Sequence, residues 1–276
     1  MFWQTTRFRI DLSRPRVMGI VNVTPDSFSD GGAHANTAAA LAHCEQLLKD
    51  GADILDIGGE STRPGAQPVT VDEELARVLP VLEGARKLGC PVSLDTLKPD
   101  VMQVALDRGV DIVNDVNALR APGAVERVAA HPACGICLMH MQGEPRSMQA
   151  QPAYVDVVTE VGEFLAARAG LLRRHGVAAE RIVLDPGIGF GKTVEHNLAL
   201  LRGQPALLAA GYPLLAGWSR KSSLGAVTGR PAGERLVASV AAALAAVQHG
   251  ASIVRVHDVA ATVDALKVWR AAGLPG

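Results

Sequence analysis

The stretch VSLDTLKPDVMQVALDRGVDIVN, residues 92–114, reads as strand, helix, strand. Its two β-branched runs, 92–95 and 111–114, each end in a polar side chain, Asp95 and Asn114. Between them, residues 99–108 carry Val, Met, Ala and Leu at helical spacing behind Pro99, and Gly109 stands where a left-handed cap would close the helix. Two strands joined through a helix run parallel, because the chain must cross back before it re-enters the sheet in the same direction.

The same unit repeats in both directions along the chain. Short apolar runs over 17–22, 53–56, 136–139, 182–185, 214–217 and 252–257 alternate with helix-like stretches over 37–49, 71–88, 123–130, 154–175, 194–201, 233–249 and 259–271. Gly51, Gly89, Gly176 and Gly250 close several of these helices. Eight strands alternating with eight helices predict a (β/α)8 TIM barrel, a closed parallel eight-stranded sheet, over one domain spanning 1–276. An open doubly wound sheet would carry a glycine-rich turn after its first strand, whereas here Asn22-Val-Thr-Pro-Asp follows. Gly225, Gly229 and Pro231 predict an extra short helix after the seventh strand. Flexible loops are expected at about 23–35 and 59–70.

Composition narrows the function classes. Of 276 residues 48% are apolar, and 27 Lys and Arg nearly cancel 28 Asp and Glu. That balance offers no basic field to nucleic acid or an anionic membrane. The most apolar stretch, 237–247, is Ala-rich and well short of the roughly 20 residues that span a bilayer. The start, MFWQTTRFRIDLSRPR, lacks the apolar segment of a signal peptide, so a soluble cytoplasmic protein is expected. The four cysteines are too scattered for a disulfide scaffold. Cys134 and Cys137 lie three apart at an apolar run, where a strand would turn them to opposite faces, so they read as inert buried thiols.

The functional signal lies in the polar residues at the strand ends. Asn22, Asp56, Asp95, Asn114, Asp185 and the pair Arg255/His257 each occupy the last inward-compatible position of their strand, which places them in a ring at the barrel mouth. Two residues earlier stand Ile20, Ile54, Ser93, Ile112, Val183 and Ile253, mostly the branched residues of a barrel interior. Buried carboxylates without partners each cost several kcal/mol, so the ring is expected to need a ligand. Asp95 and Asp185 as acceptors, with Asn114 able to donate and accept, suit a planar heterocycle edged with N–H groups. Arg255 can stack on such a ring or clamp an anion, and Lys221 can donate to it. The segments Thr24–Gly32, Gly58–Gly65 and Ser219–Ser223 supply hydroxyls, glycines and cations fit to hold a phosphate or pyrophosphate. Gly187-Ile-Gly-Phe-Gly-Lys has the spacing of a dinucleotide fingerprint but follows the sixth strand without an acidic ribose partner.

The runs MGIVNVTPDSFSDGG (18–32), GADILDIGGESTRPGA (51–66), VSLDT (92–96), IVNDV (112–116), LMHMQGEPRSMQ (138–149), LDPGIGFGKT (184–193), GWSRKS (217–222) and IVRVHDV (253–259) closely resemble those of bacterial dihydropteroate synthases. The resemblance covers nearly the whole chain. It implies a transferase of folate biosynthesis that condenses 6-hydroxymethyl-7,8-dihydropterin pyrophosphate with 4-aminobenzoate, through a transition state like a pterin cation, and that sulfonamides compete for the aminobenzoate site. It further implies that Asp95, Asn114, Asp185 and Lys221 hold the pterin, with Met139, Gly217 and Val256 bordering it. Asn22 would coordinate Mg²⁺ bridging to the pyrophosphate. Arg255 and His257 would take the pyrophosphate. Phe28, Thr62, Arg63 and Pro64 would close over the aminobenzoate, with Phe190, Lys221 and Ser222 beside it. Asp95, Arg63, Lys221, Arg255 and His257 are the implied catalytic set. Asp56 reads equally as a direct contact or as an organiser of its neighbours. His34, His140 and His196 read as exposed or structural, and Lys192 as a cap on its loop. Trp218 stands where many members of the family carry a smaller apolar residue, a difference that bears on the aminobenzoate or inhibitor pocket and leaves the implied reaction as it is. The family also suggests a homodimer packed through 237–247 and the last helix.

Overall fold

The computed structural model describes residues 1–24, 32–62, 65–144 and 147–274. Phe28, Arg63 and Pro64 lie outside the described residues. Eight parallel strands close on themselves: β3 (Arg16–Asn22), β4 (Ile54–Gly58), β5 (Val92–Asp95), β6 (Ile112–Asp115), β7 (Gly135–Met139), β8 (Ile182–Asp185), β9 (Leu214–Ala216) and β10 (Ala251–Val256), with β10 pairing back onto β3. The expected barrel is thus the observed one. The helices surrounding it are α1 (Gly32–Lys49), α2 (Val71–Ala85), α3 (Pro99–Asp107), α4 (Ala124–Ala130), α5 (Val157–Arg174), α6 (Val194–Leu207), α8 (Leu236–Gln248) and α9 (Val259–Ala271). The expected extra helix, α7 (Ser222–Thr228), lies between β9 and α8.

Local chemistry sets the helix ends. Thr70 and Glu73 form a reciprocal capping box at the start of α2, and Asp156 accepts the Val158 and Thr159 N–H groups at the start of α5. Gly109 and Gly250 adopt the left-handed φ, 76° and 92°, expected of closing glycines. The sequence places the end of α6 at residue 201, but the helix continues to Leu207. Gly203 is there to let α6 approach α5, since a Cβ on it would meet Val158 Cγ2 at 2.7 Å.

Two apolar layers follow from strand alternation. Val17, Val21, Leu55, Leu94, Val113, Leu138, Leu184 and Val254 face outward into the helices. Met18, Ile54, Ile112, Cys137, Val183, Leu215 and Ile253 fill the interior. Cys134 belongs to the outer layer and Cys137 to the inner one. All four cysteines are buried and free, and burial pushes the Cys137 thiol well up. The inert reading holds.

The sequence reading missed the N-terminal hairpin. Strands β1 (Phe2–Gln4) and β2 (Arg9–Asp11) pair antiparallel outside the barrel, and Trp3, Ile10 and Leu12 join the interior cluster. Trp3 is wholly buried and its Nε1 donates to the Arg181 carbonyl, 2.9 Å away. Arg181 precedes β8, so the hairpin floors the barrel at the amino ends of its strands. No helix among the described residues is long and apolar enough to cross a membrane.

Candidate active site

The polar ring forms at the carboxyl ends of the strands, as the alternation predicts, but not all at one level. Strand register pairs Gly58 with Asp95 and Asp95 with Asn114, whereas Asp56 pairs with Ser93, one inward step deeper. The reading of Asp56 as the last residue of its strand is therefore corrected: β4 runs on to Gly58, which brings no side chain to the mouth. Asp56 is fully buried. Its Oδ2 accepts Arg255 Nε at 2.6 Å and Asn114 Nδ2 at 3.1 Å, so it organises its neighbours.

Arg255 spans the mouth from β10. Besides Asp56 it donates through Nη2 to Asp95 Oδ2, 2.7 Å away. Burial works against the guanidinium charge, but the carboxylates of Asp56 and Asp95 outweigh it and hold the group firmly protonated. Asp95 is pushed up to about 7 by burial, with Arg255 pulling the other way. Asp185 is also raised by burial, opposed by the Gly187 N–H that its Oδ1 accepts at 2.7 Å. The expectation that the carboxylates lack partners until a ligand arrives is thus corrected in part, because Arg255 answers two of them from within the chain.

The loop after β8 is built on Lys192. This side chain is almost completely buried, and its Nζ donates to the Phe190 carbonyl at 2.9 Å, the Gly187 carbonyl at 3.0 Å and the His140 carbonyl at 3.3 Å, and lies 2.9 Å from His140 Nδ1. Burial lowers Lys192 to about 7 and His140 to about 3. The neutral imidazole is therefore the acceptor. Gly187 carries φ 69°, and a Cβ there would sit 1.9 Å from the His140 carbonyl oxygen. The glycine-rich hexapeptide is a loop wrapped round an ammonium group, as the cap reading of Lys192 expected. It presents Phe190, over whose ring Lys221 Nζ lies 4.2 Å from the centroid. Met139 packs with Met141, Met148, Val116, Leu97 and Phe190 at the same end of the barrel.

Lys221 caps the start of α7, and Ser222 is that helix's exposed first residue. A Cβ on Gly217 would meet nothing within 4 Å, so the end of β9 is open. His257 follows β10. Its main-chain N–H donates to Ser219 Oγ at 3.1 Å, and its Nδ1 lies 3.0 Å from the same hydroxyl; Ser219 opens the 219–223 segment expected to hold a phosphate, but its pairing with His257 was not expected. Asn22 ends β3, half-buried, and Thr62 lies half-buried in the segment after β4.

Val256 alternates with Arg255 and His257, and its side chain is buried in the outer apolar layer; any substrate contact there falls to its main chain. Trp218 is buried in that same outer layer. His140 is structural, and His196 serves the capping box of α6 with Thr193. The side chain of His34 lies outside the described residues.

Comparison with known proteins agrees with this geometry. Residues 18–257 match a family model described as "Pterin binding enzyme". The dihydropteroate synthase of Neisseria meningitidis serogroup B is 58% identical over 278 residues, covering 99% of this chain and 98% of that one. The structure of Xanthomonas albilineans dihydropteroate synthase with 4-aminobenzoic acid superposes with a TM-score of 0.93 at 50% identity, covering 100% of both chains. That of Burkholderia cenocepacia dihydropteroate synthase complexed with 7,8-dihydropteroate gives 0.89 at 54% identity, covering 99% of this chain and 96% of that one.

Proposed function

Because the chain belongs to the pterin-binding enzyme family, among its dihydropteroate synthases, we propose that it transfers the dihydropterinylmethyl group of 6-hydroxymethyl-7,8-dihydropterin pyrophosphate to the amine of 4-aminobenzoate, releasing pyrophosphate. The observation that carries this reading is the tethering of Arg255 by Asp56 and Asp95. It fixes a guanidinium plane across the mouth, with the outer Nη1 directed to neither carboxylate.

Asp95, Asn114 and Asp185 present acceptors and a donor to the pterin edge, and Lys221 donates to its far side. As the C–O bond to the pyrophosphate lengthens, positive charge spreads over the pterin and negative charge gathers on the leaving group. Asp95 balances the first. Arg255 and His257 stabilise the second, the kind of preorganised electrostatic effect that usually dominates catalysis. The amine attacks as a neutral nucleophile, so the arrangement requires no strong base. Phe190 supports the aminobenzoate ring, Lys221 and Ser222 border its carboxylate, and Thr62 approaches from the second loop. Phe28, Arg63 and Pro64 keep their proposed places over that substrate on family membership alone. Gly217 and Met139 border the pterin.

Among the described residues no group of three or more His, Cys, Asp or Glu is arranged to cage a metal. Asn22, half-buried at the end of β3, would hold Mg²⁺ through its amide oxygen, since that ion keeps several waters and takes few protein ligands. When bound, it would neutralise charge on the leaving group.

The proposal further takes residues 1–276 as one working domain, cytoplasmic and paired with a second copy of itself. Leu236 and Val237 on α8 and Val268 on α9, two helices that pack together, leave apolar surface exposed for that contact. Light scattering tests the dimer and cell fractionation the location. Pyrophosphate release, assayed with and without Mg²⁺ and with and without 4-aminobenzoate, tests the reaction. Failure to form dihydropteroate would sink the reading; inhibition by a sulfonamide that added 4-aminobenzoate relieves would extend it to the aminobenzoate site.

A further inference from the structure

The segment between β4 and α2 is tied at its root. Glu60 Oε1 accepts the Val69 N–H at 3.2 Å, so one carboxylate holds both ends of the excursion. Its Oε2 accepts Lys98 Nζ at 2.5 Å, and the same ammonium reaches Glu74 Oε2 at 2.7 Å. Glu74, on α2, is fully buried, and its Oε1 has no hydrogen-bond partner among the described residues. Arg77 Nη1 donates to the Gly59 carbonyl at 2.9 Å. Gly59 lies so near α2 that a Cβ would meet Val78 Cγ1 at 2.7 Å. Lys98 immediately precedes α3, at a helix end whose dipole disfavours a cation. Its position answers to the two carboxylates, and it links the loop after β5 to the segment after β4. The tether borders a cleft of about 380 Å³ lined in part by Glu60, Ser61, Thr62, Leu97, Asn117 and Met141.

We infer that Lys98, Glu60 and Glu74 form a clamp that sets Ser61 and Thr62 at the edge of the mouth, making Glu60 and Lys98 positioning residues for the arylamine substrate. This rests on the function proposed above. One cation answers two carboxylates. Without it they face each other, Glu74 has nowhere to go, and Glu60 swings out and releases the Val69 N–H. Among the described residues no hydrogen bond joins Glu60 to Asp95, Asn114 or Asp185, so Glu60→Ala leaves the hydrogen bonds of the pterin side in place, and Glu74, whose charge acts on Asp95, is left unchanged in that variant.

Glu60→Ala is the direct test, because it frees the segment while leaving the Lys98–Glu74 pair intact. Glu60→Gln keeps one acceptor, enough for the Val69 N–H, but loses the second oxygen that receives Lys98, and Lys98→Met removes the cation. In Glu60→Ala, amide hydrogen exchange at Val69 should accelerate and KM for 4-aminobenzoate should rise about tenfold, while the Kd for dihydropterin pyrophosphate stays within about twofold. Glu60→Gln, which keeps the Val69 bond and loses the one to Lys98, should fall between the parent and Glu60→Ala in both exchange and KM, and Lys98→Met should act in the same direction as Glu60→Ala. Unchanged exchange at Val69 overturns the clamp. Faster exchange with an unchanged KM overturns its positioning role, and so does a parallel loss of pterin affinity. If the parent chain forms no dihydropteroate, the functional reading fails on that result. The exchange measurement and 4-aminobenzoate affinity in the presence of the pterin substrate then decide the clamp by themselves.

Discussion

Removing the Asp56 carboxylate should disable the site without touching any substrate. Asp56→Ala deletes two bonds at once, from Arg255 Nε at 2.6 Å and from Asn114 Nδ2 at 3.1 Å. Breaking a buried ion pair costs about 3–5 kcal/mol, because the surviving charge is left uncompensated. Arg255 keeps Asp95 as a partner and its side chain retains 22% exposure, so the lower end of that range applies. The stranded Asn114 amide adds about 1 kcal/mol. A loss of about 4 kcal/mol lowers the melting temperature of a chain this size by roughly 10 °C. The larger effect falls on rate. With only Asp95 holding it, the guanidinium no longer keeps one plane, and losing one preorganised donor to a developing anion costs about 10²- to 10³-fold in kcat. Thermal melts and steady-state dihydropteroate formation measure both, and Asp56→Asn, which keeps the shape and one acceptor, should fall between parent and Ala variant. A variant melting within about 2 °C of the parent and turning over within about threefold of it would refute the idea that Asp56 orients Arg255.

Three further outcomes follow from the geometry. Burial pushes Asp95 up to about 7 from an ordinary 3.8, despite Arg255, so from about pH 4 to about 7 the folded chain keeps a proton that the unfolded chain has released; stability should fall as pH rises through that window. Asp95→Asn should flatten the dependence of the urea midpoint on pH, and pterin affinity measured by calorimetry should rise through about pH 7 as Asp95 becomes a pure acceptor; a pH-independent affinity contradicts this. Lys192→Met strands the carbonyls of Gly187 and Phe190 and should cost about 2 kcal/mol in urea melts, raising KM for 4-aminobenzoate more than for the pterin; equal changes argue against a role through Phe190. Trp3→Ala should cost about 3–5 kcal/mol by thermal melting while leaving both KM values unchanged, and a shifted KM would mean the floor is coupled to the mouth.

The barrel and most of its mouth were readable from period and spacing, because most strands expose a polar end and several helices close on glycine. Asp95, Asn114, Asp185 and Arg255 came out on one face for that reason. What escaped depends on partners distant in sequence. The depth of Asp56 turns on whether Gly58 continues the strand, and a glycine followed by another glycine reads as loop. Gly203 looks like a helix stop until Val158 is placed against it. The clamp pairs residues 60, 74 and 98, which no local pattern joins; its one local sign is a lysine at the N-terminal edge of α3, where a cation is unwelcome. The hairpin at 2–11 is two strands of three residues each, too short for alternation to show.

That hairpin also bears on the order in which the chain is made. Trp3 leaves the ribosome 178 residues before the carbonyl that receives its indole N–H. At about 5–20 residues per second the interval is roughly ten to thirty seconds or more, during which Trp3 and Ile10 have no barrel to close. Synthesis therefore leaves an apolar plug waiting for its socket, an exposed segment of the kind that holdase chaperones bind.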